Sequence, residues 1–429
     1  MLKAKNNWRI SKKTTAITMA TVCFLTAYGV AGKVDASDVN SVLDITDMFS
    51  ERDMEQEADL TDAKVITVTD GEDIHITEEG VYVINGSAVD ATIYVEVDDA
   101  AKVQIVLDGA AITNTDKPVI YGVEADKIFV TTLSDSTLTV TGAFAADSEN
   151  TGAVIFSETD LVFNGTAALT ISSTDGAVDT KDDLKITGGT YEISSAGNAF
   201  EANDSVRIAD GTFTINTGKD AFHAENHEDD SKGYIYIADG TFHITAEDDG
   251  IQGNAIVRID GGAFTINAAE AIEGTYVQIN DGTIDITASD DGINAAAKSA
   301  SYEVKLEING GDLTIDMGQG DTDALDANGN LEINGGSLNI TAASAFDYDG
   351  SGMLNGGTVI VNGQEVTELT PSMMGGGFGG GHGGRGGFNN LDSMPRGDMP
   401  KGDMAPPDMD GMPEDHQNFD IAQTENSES

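Results

Sequence analysis

Gly189-Thr190-Tyr191-Glu192-Ile193 and Gly211-Thr212-Phe213-Thr214-Ile215 are two copies of a motif that recurs through the second half of the chain. Further copies follow in steps of 20 to 29 residues, beginning at Gly240, Gly262, Gly282, Gly311, Gly336 and Gly357. A short run such as Val206-Arg207-Ile208 precedes a copy, and a pair of small or apolar residues such as Ala221-Phe222 follows it. One period therefore holds three short strands separated by turns.

The repeat decides the fold class. A unit of about 22 residues cannot bury its own apolar face, but stacked units bury a continuous column. We therefore predict an all-β protein, a parallel β-helix with three short strands per coil, over residues 65–370. The period has no helical stretch and few leucines, which argues against a leucine-rich repeat. An antiparallel sandwich would not keep such a register from one period to the next.

The composition limits the function. The 429 residues include 22 Lys and Arg against 74 Asp and Glu, a formal charge of −52, which excludes nucleic acid as a partner. The single cysteine, Cys23, excludes disulfides and thiolate metal sites from an exported product that lacks the N-terminus. Serine-nucleophile, P-loop and zinc-protease motifs are absent, so no catalytic residue is predicted.

The two ends of the chain differ from the repeats. Residues 1–36 begin with five lysines and arginines within the first 13 residues and continue with an apolar stretch, typical of an export signal, with an uncleaved anchor as the alternative. Residues 37–64 form an acidic spacer, and residues 371–429, rich in Gly, Met, Asp and Pro, are expected to be disordered. We expect a secreted monomer, at or near the cell surface, without a stable membrane span.

Stacking turns repeated positions into ladders of side chains about 4.8 Å apart. The residue before each small-apolar pair is acidic in five of eight coils, and so is the residue after the pair. Carboxylates at that spacing repel by about 1–3 kcal/mol, which favours a bound cation. Oxygen ligands in an exported, cysteine-free protein indicate Ca²⁺. The candidate ligands are Asp220, Asp248, Asp249, Glu270, Asp290, Asp291, Asp323 and Asp326. The alternative is Asp-Gly turns whose side chains cap their own backbone.

A second ladder flanks the isoleucine that precedes each glycine turn. By the period of two along a strand, five cationic and aromatic side chains should project from one outward face. Tyrosine can stack on a sugar ring, and arginine can form a bidentate pair with a uronate carboxylate. The predicted carbohydrate-binding residues are Arg207, Tyr234, Tyr236, Arg258 and Tyr276. Ordinary cross-strand pairing of exposed residues is the alternative.

The runs DGAVDTKDDLKITGGT (175–190), DSVRI (204–208) and DDGIQG (248–253) resemble the repeats of a bacterial carbohydrate-binding domain-containing family, and the resemblance covers about residues 80–365. It implies a secreted right-handed parallel β-helix, similar in shape to pectate lyases, that binds calcium, cellulose and acidic sugars. Ala177-Val178 and Glu270-Ala271 depart from the commoner Asp-Gly-Ile form.

The expected function is calcium-dependent binding of polysaccharide. The only tryptophan, Trp8, lies in the export signal, so acidic or soluble glycans are favoured over crystalline cellulose. A pectate-lyase-like β-eliminase and a structural adhesion protein without a sugar site are the alternatives.

Overall fold

The computed structural model describes residues 42–145, 152–318 and 322–371. These ranges contain strands, numbered β1 to β34 in chain order, and no helix. The predicted signal, residues 1–36, and all of the predicted tail except Pro371 lie outside them. None of the described residues forms a helix that could cross a bilayer.

Successive strands fall into three rows of parallel pairs. Row 1 contains β1 (Lys64–Thr67), the first halves of β3 (Gly80–Val89) and β5 (Lys102–Asn114), β7 (Lys127–Ser134), β10 (Leu161–Gly165), β13 (Asp183–Ile186), β16 (Ser205–Ile208), β19 (Tyr234–Ile237), the second halves of β21 (Asp249–Ile259) and β23 (Glu270–Ile279), β26 (Lys305–Ile308), β29 (Asn330–Ile333) and β32 (Gly352–Leu354).

Row 2 carries the repeated motif. It contains the second halves of β3 and β5, β8 (Ser136–Val140), β11 (Ala168–Ser172), β14 (Thr190–Ser195), β17 (Thr212–Thr217), β20 (Thr241–Ala246), β22 (Ala263–Ala268), β24 (Thr283–Ala288), β27 (Asp312–Met317), β30 (Ser337–Thr341) and β33 (Thr358–Val361), which pairs antiparallel with β34 (Gln364–Val366).

Row 3 follows the small-apolar pairs. It contains β2 (Ile74–Ile76), β4 (Ile93–Glu96), β6 (Ile120–Glu124), β9 (Ala153–Ser157), β12 (Gly176–Thr180), β15 (Phe200–Ala202), β18 (Phe222–Ala224), the first halves of β21 and β23, β25 (Ile293–Ala295), β28 (Asp323–Ala327) and β31 (Ser344–Tyr348). The chain therefore visits the three rows in turn, as expected for a solenoid-like all-β fold.

The predicted register is confirmed. Each copy of the motif pairs with the next, as Thr190 does with Thr212 and Thr283 with Asp312. The turn glycines hold positive φ, and at Gly262 (φ 109°) an added Cβ would lie 2.9 Å from the Phe264 ring and 3.2 Å from the Gly240 carbonyl oxygen. A side chain there would be strained and would also prevent the coils from approaching, which explains the recurring glycine.

The core is a continuous apolar column inside the three rows. Row 2 strands alternate between exposed and buried residues, because only their inner face is covered. Aromatic rings stack from coil to coil within the core. The ring centre of Phe242 lies 4.8 Å from that of Phe213 and 4.4 Å from that of Phe264, and the rings are nearly parallel. Such a stack requires in-register coils, so the repeat and the packing support each other.

The predicted spacer is structured where it is described. Residues 42–63 form turns and bends and contain no helix. Met48 and Asp53 are buried, at 6% and 1% exposure. We call residues 42–56 the strap, because they lie across the outer face of row 1 (below).

Candidate functional site

The acidic ladder predicted after the small-apolar pairs exists as a column on row 3. Each member is the register partner of the next, in the order Asp179, Glu201, His223, Gln252, Glu273, Asn294, Asp326 and Asp347. We call these residues the acidic column. The stacked coils therefore bring polar and acidic side chains that recur along the sequence into one column.

The acidic residues that precede each apolar pair also accept backbone hydrogen bonds. The backbone N–H of Asp249 donates to Asp220 Oδ1 at 3.0 Å, and the N–H of Asp323 donates to Asp291 Oδ1 at 3.0 Å. These carboxylates accept backbone N–H groups of the next coil, whereas the alternative interpretation expected them to cap their own backbone. The other oxygen of Asp220, Oδ2, lies 2.6 Å from His223 Nδ1, so a cation bound to Asp220 would compete with His223.

Two groups of carboxylates converge around Asp249. One oxygen each from Asp220, Asp248 and Asp249 lie within 4.8 Å of one another, and so do oxygens of Asp249, Glu270 and Glu273. Four of the eight predicted ligands therefore come together. Glu273 joins them, although the prediction omitted it as a ligand. The other four predicted ligands, Asp290, Asp291, Asp323 and Asp326, take part in no such group within the described residues.

The converging charges disfavour ionisation. Burial, reinforced by repulsion from Asp220 and Glu273, raises the pKa of Asp249 to about 9. Burial and the neighbouring Glu273 raise the pKa of Glu270 to about 7. Farther along the column, burial and the charge of Asp291 raise the pKa of Asp326 to about 7. A positive charge at Asp249 would relieve this repulsion.

Neutral and cationic groups border the same carboxylates. Gln252 Nε2 donates to Asp249 and to Glu273 Oε2, and Lys298 Nζ lies 2.5 Å from Glu273 Oε2. Asn294 Nδ2 donates to Glu270 Oε2 at 3.0 Å. Asn294 is only 7% exposed, yet its Oδ1 has no hydrogen-bond donor in the part of the chain that the structure describes. A buried amide oxygen without a donor is a suitable ligand for a hard cation such as Ca²⁺, which prefers oxygen.

The sequence analysis missed a third carboxylate group, formed by Asp160, Asp182 and Asp183. Lys127 lies 3.6 Å from Asp160, and Arg207 pairs with Asp183 at 2.7 Å. These cations lie beside two of the three members, while burial and the charge of Asp160 raise the pKa of Asp182 to about 6. The available signal was an acidic residue directly before two consecutive row 1 strands.

All five predicted carbohydrate-binding residues lie on row 1, on adjacent strands β16, β19, β21 and β23. Arg207 pairs with Tyr236, and Tyr236 with Arg258, in the predicted register. The Arg207 guanidinium also lies 5.4 Å from the centre of the Tyr234 ring. The predicted cationic and aromatic face is thus assembled.

The strap covers most of that face. Phe49 packs against Tyr236 at 6.3 Å between ring centres, and Arg258 Nη1 donates to the Leu43 carbonyl at 3.3 Å. Tyr276 packs with Val42 and Leu43 and is 7% exposed. Tyr236 and Arg258 are buried as well, while Tyr234 is half-buried. In this structure a ligand reaching Tyr236, Arg258 or Tyr276 would have to displace the strap.

The strap is fixed by polar contacts at its C-terminal half. The Asp53 carboxylate lies 3.3 Å from Lys127 Nζ and 3.5 Å from Lys185 Nζ. The Arg52 guanidinium lies over the Phe129 ring at 4.7 Å. Gln56 accepts the N–H of Gly165 at 3.1 Å and donates to the Thr187 carbonyl at 3.0 Å. The sequence of the strap has no periodic pattern from which its packing on row 1 could be predicted.

Comparisons with known proteins place this architecture in a family. A family model described as carbohydrate-binding domain-containing protein matches residues 70–350. A curated relative of that name from Acetivibrio thermocellus is 39% identical over 257 residues, which cover 58% of this chain and 88% of the relative. A solved structure, the gadolinium derivative of a polysaccharide lyase-like protein from C. thermocellum, is 22% identical with a TM-score of 0.32, covering 70% of this chain and 94% of that one. By the family model and the curated relative, the chain belongs to the carbohydrate-binding domain-containing family.

Proposed function

We propose that this protein binds polysaccharide through Ca²⁺ held by the carboxylates around Asp249, and that it favours acidic, uronate-type or soluble glycans. The observation that carries the proposal is the convergence of Asp249, Glu270 and Glu273 in a member of a carbohydrate-binding family. The proposal also includes a right-handed coil, secretion to the cell surface and a monomeric state.

The donor set fits calcium. Carboxylate oxygens of Asp220, Asp249, Glu270 and Glu273 and the amide oxygen of Asn294 are all hard ligands. Bound Ca²⁺ would supply a positive charge to which a uronate carboxylate can bind. Burial decides from which side a glycan could reach the cluster. Asp249 and Glu273 are buried and Asp248 is exposed, so the cluster opens to solvent on the Asp248 side.

The cationic and aromatic face of row 1 would add a second contact. Arg207 and Tyr234 are half-buried, whereas Tyr236, Arg258 and Tyr276 are buried. We propose that these five side chains receive a uronate chain when the strap is displaced. The double variant Arg207→Ala, Arg258→Ala should then weaken binding to polygalacturonate, and unchanged binding would remove this face from the proposal.

A glycan array with and without calcium tests the main proposal. We expect oligogalacturonates to bind in millimolar Ca²⁺ and to be released by EDTA. Glu270→Gln should lose this binding, whereas Asp285→Asn, which removes an exposed carboxylate on β24, should retain it. Binding that persists in EDTA would contradict the calcium requirement. An ultraviolet assay for unsaturated product on the same samples separates binding from β-elimination.

A further inference from the structure

The acidic column continues toward the N-terminus as a column of aromatic side chains. His75 pairs with Tyr94, Tyr94 with Tyr121, and Tyr121 with Phe156, which is the register partner of Asp179. One outward position of row 3 therefore carries rings in the first coils and carboxylates in later ones. We call His75, Tyr94 and Tyr121 the aromatic column.

The aromatic column is accessible. His75 is exposed, and Tyr94 and Tyr121 are half-buried, whereas Phe156 is buried. The His75 and Tyr94 rings are nearly parallel, with centres 5.0 Å apart, and the Tyr121 ring is tilted by 50° from that of Tyr94. The three rings thus form a partly exposed wall about two coils long, ending where the buried Phe156 begins.

A polar pocket of about 400 Å³ lies at the turns that lead into β2 and β4, the strands that carry His75 and Tyr94. Its lining includes Asp73, which lies two residues before His75, and Thr92, which lies two residues before Tyr94. Asp73 and Thr92 directly precede these strands, so the pocket lies beside the strand ends from which the rings project. Thr92 and Asn114 are buried, and Asn114 Nδ2 donates to Thr92 Oγ1 at 3.1 Å. This hydrogen bond gives the pocket a fixed floor.

The pocket offers acceptors rather than cations. Asp73, Asp90 and Asp116 contribute carboxylates, against one lysine, Lys117. Asp73 and Asp90 each accept a backbone N–H through Oδ1, at 3.0 Å. None of the three aspartates belongs to a close carboxylate group within the described ranges, unlike the residues around Asp249. Their spacing therefore suits several separate hydroxyl donors better than one metal ion.

We propose that the aromatic column and this pocket form a binding site for a neutral glycan chain. A pyranose has apolar C–H faces that pack against rings, and hydroxyl groups that donate to carboxylates. A uronate would bring its own negative charge against three aspartates, so the site selects against acidic sugars. This inference rests on the proposed function, since it assigns part of the glycan binding to different residues and to a different sugar class.

Titration calorimetry with hexasaccharides tests the assignment on the full-length protein. The probes are neutral hexaoses of β-glucan, xylan, mannan and α-glucan, with hexagalacturonate as the acidic comparison. We expect at least one neutral probe to bind in EDTA. We expect Tyr94→Ala and Tyr121→Ala each to weaken that binding at least tenfold, and Tyr94→Phe to retain it. Calcium-dependent binding of hexagalacturonate should be unchanged in all three variants.

Tyr348→Ala, which removes a half-buried tyrosine from the last strand of row 3, is the matched control, and thermal melting checks that every variant is folded. If no neutral hexaose binds while hexagalacturonate does, the neutral site is refuted and the proposed function survives. Neutral binding that the alanine variants leave intact also refutes this assignment. If neither class of sugar binds, the proposed function fails together with the inference.

Discussion

Replacing Asp249 with asparagine removes the charge at the centre of the carboxylate cluster. Asp249 is 4% exposed. A carboxylate oxygen of Asp249 lies within 4.8 Å of oxygens of Asp220 and Asp248, and one lies within 4.8 Å of oxygens of Glu270 and Glu273. Its pKa, raised to about 9 by burial and by those neighbours, is above that of an unfolded aspartate. Between these two values the folded state holds a proton that the unfolded state releases. Without calcium, the free energy of unfolding therefore falls as pH rises from about 4 to 9.

Two unit charges 4.8 Å apart repel by about 3.5 kcal/mol at an effective dielectric constant of 20. At pH 8, below this pKa, the folded wild type relieves most of the repulsion by holding a proton on Asp249 that the unfolded state releases, and asparagine removes the cost of that proton uptake. We therefore expect Asp249→Asn to raise the free energy of unfolding by about 1–3 kcal/mol at pH 8 in EDTA. At about 2–4 °C per kcal/mol, the melting temperature should rise by several degrees.

Calcium should reverse which of the two proteins, wild type or Asp249→Asn, has the higher melting temperature. A ligand at one thousand times its Kd stabilises the folded state by about 4.1 kcal/mol, which exceeds the stabilisation expected of the variant in EDTA. The variant loses a ligand and should gain little from calcium, so it melts above the wild type in EDTA and below it in excess Ca²⁺. Scanning calorimetry in both buffers measures this, with Asp285→Asn as the control. Equal calcium stabilisation of variant and wild type, or a variant destabilised in EDTA, would refute the argument.

Three other outcomes are expected. The melting temperature in EDTA should fall between pH 5 and pH 8, because the raised pKa values of Glu270 and Asp326 favour protonation in the folded state; a flat profile would contradict the clustered charges. Asp53→Ala removes the carboxylate beside the buried Lys185 and leaves the half-buried Lys127 with Asp160 alone, so it should cost about 3 kcal/mol in urea unfolding and speed hydrogen exchange in residues 42–56. Phe242→Ala breaks the core stack and should cost about 3–5 kcal/mol in the same assay, more than any exposed row 2 substitution.

The sequence was sufficient to predict the rows and their register. A repeat that cannot bury its face alone has to stack, and each glycine turn leaves little freedom for a slip, because a shift by one residue would turn Ile215 or Phe213 outward. The acidic column followed directly from that register. Its members could be named because they occupy one repeated position.

The strap could not be predicted in the same way. Its residues appear once, so no period reveals a partner, and its acidic composition is typical of a solvated segment. Docking depends on pairs such as Asp53 with Lys185 that lie far apart in the chain. Glu273 was missed as a ligand for a related reason: its glutamate side chain reaches Asp249 on the preceding coil, and a list of aligned positions does not show that reach.

The boundary between the aromatic and acidic parts of the row 3 column has a physical consequence for ligand binding. Lys181 Nζ lies over the Phe156 ring at 5.1 Å and 2.9 Å from Asp179 Oδ2, so one cation contacts the last ring and the first carboxylate. On one side of Lys181 a sugar would meet the rings of the proposed neutral site, and on the other it would meet the carboxylates for which we propose a calcium ion. A single glycan crossing this point would need a neutral segment followed by an acidic one. The two surfaces are therefore better suited to two different chains, bound end to end along the same row.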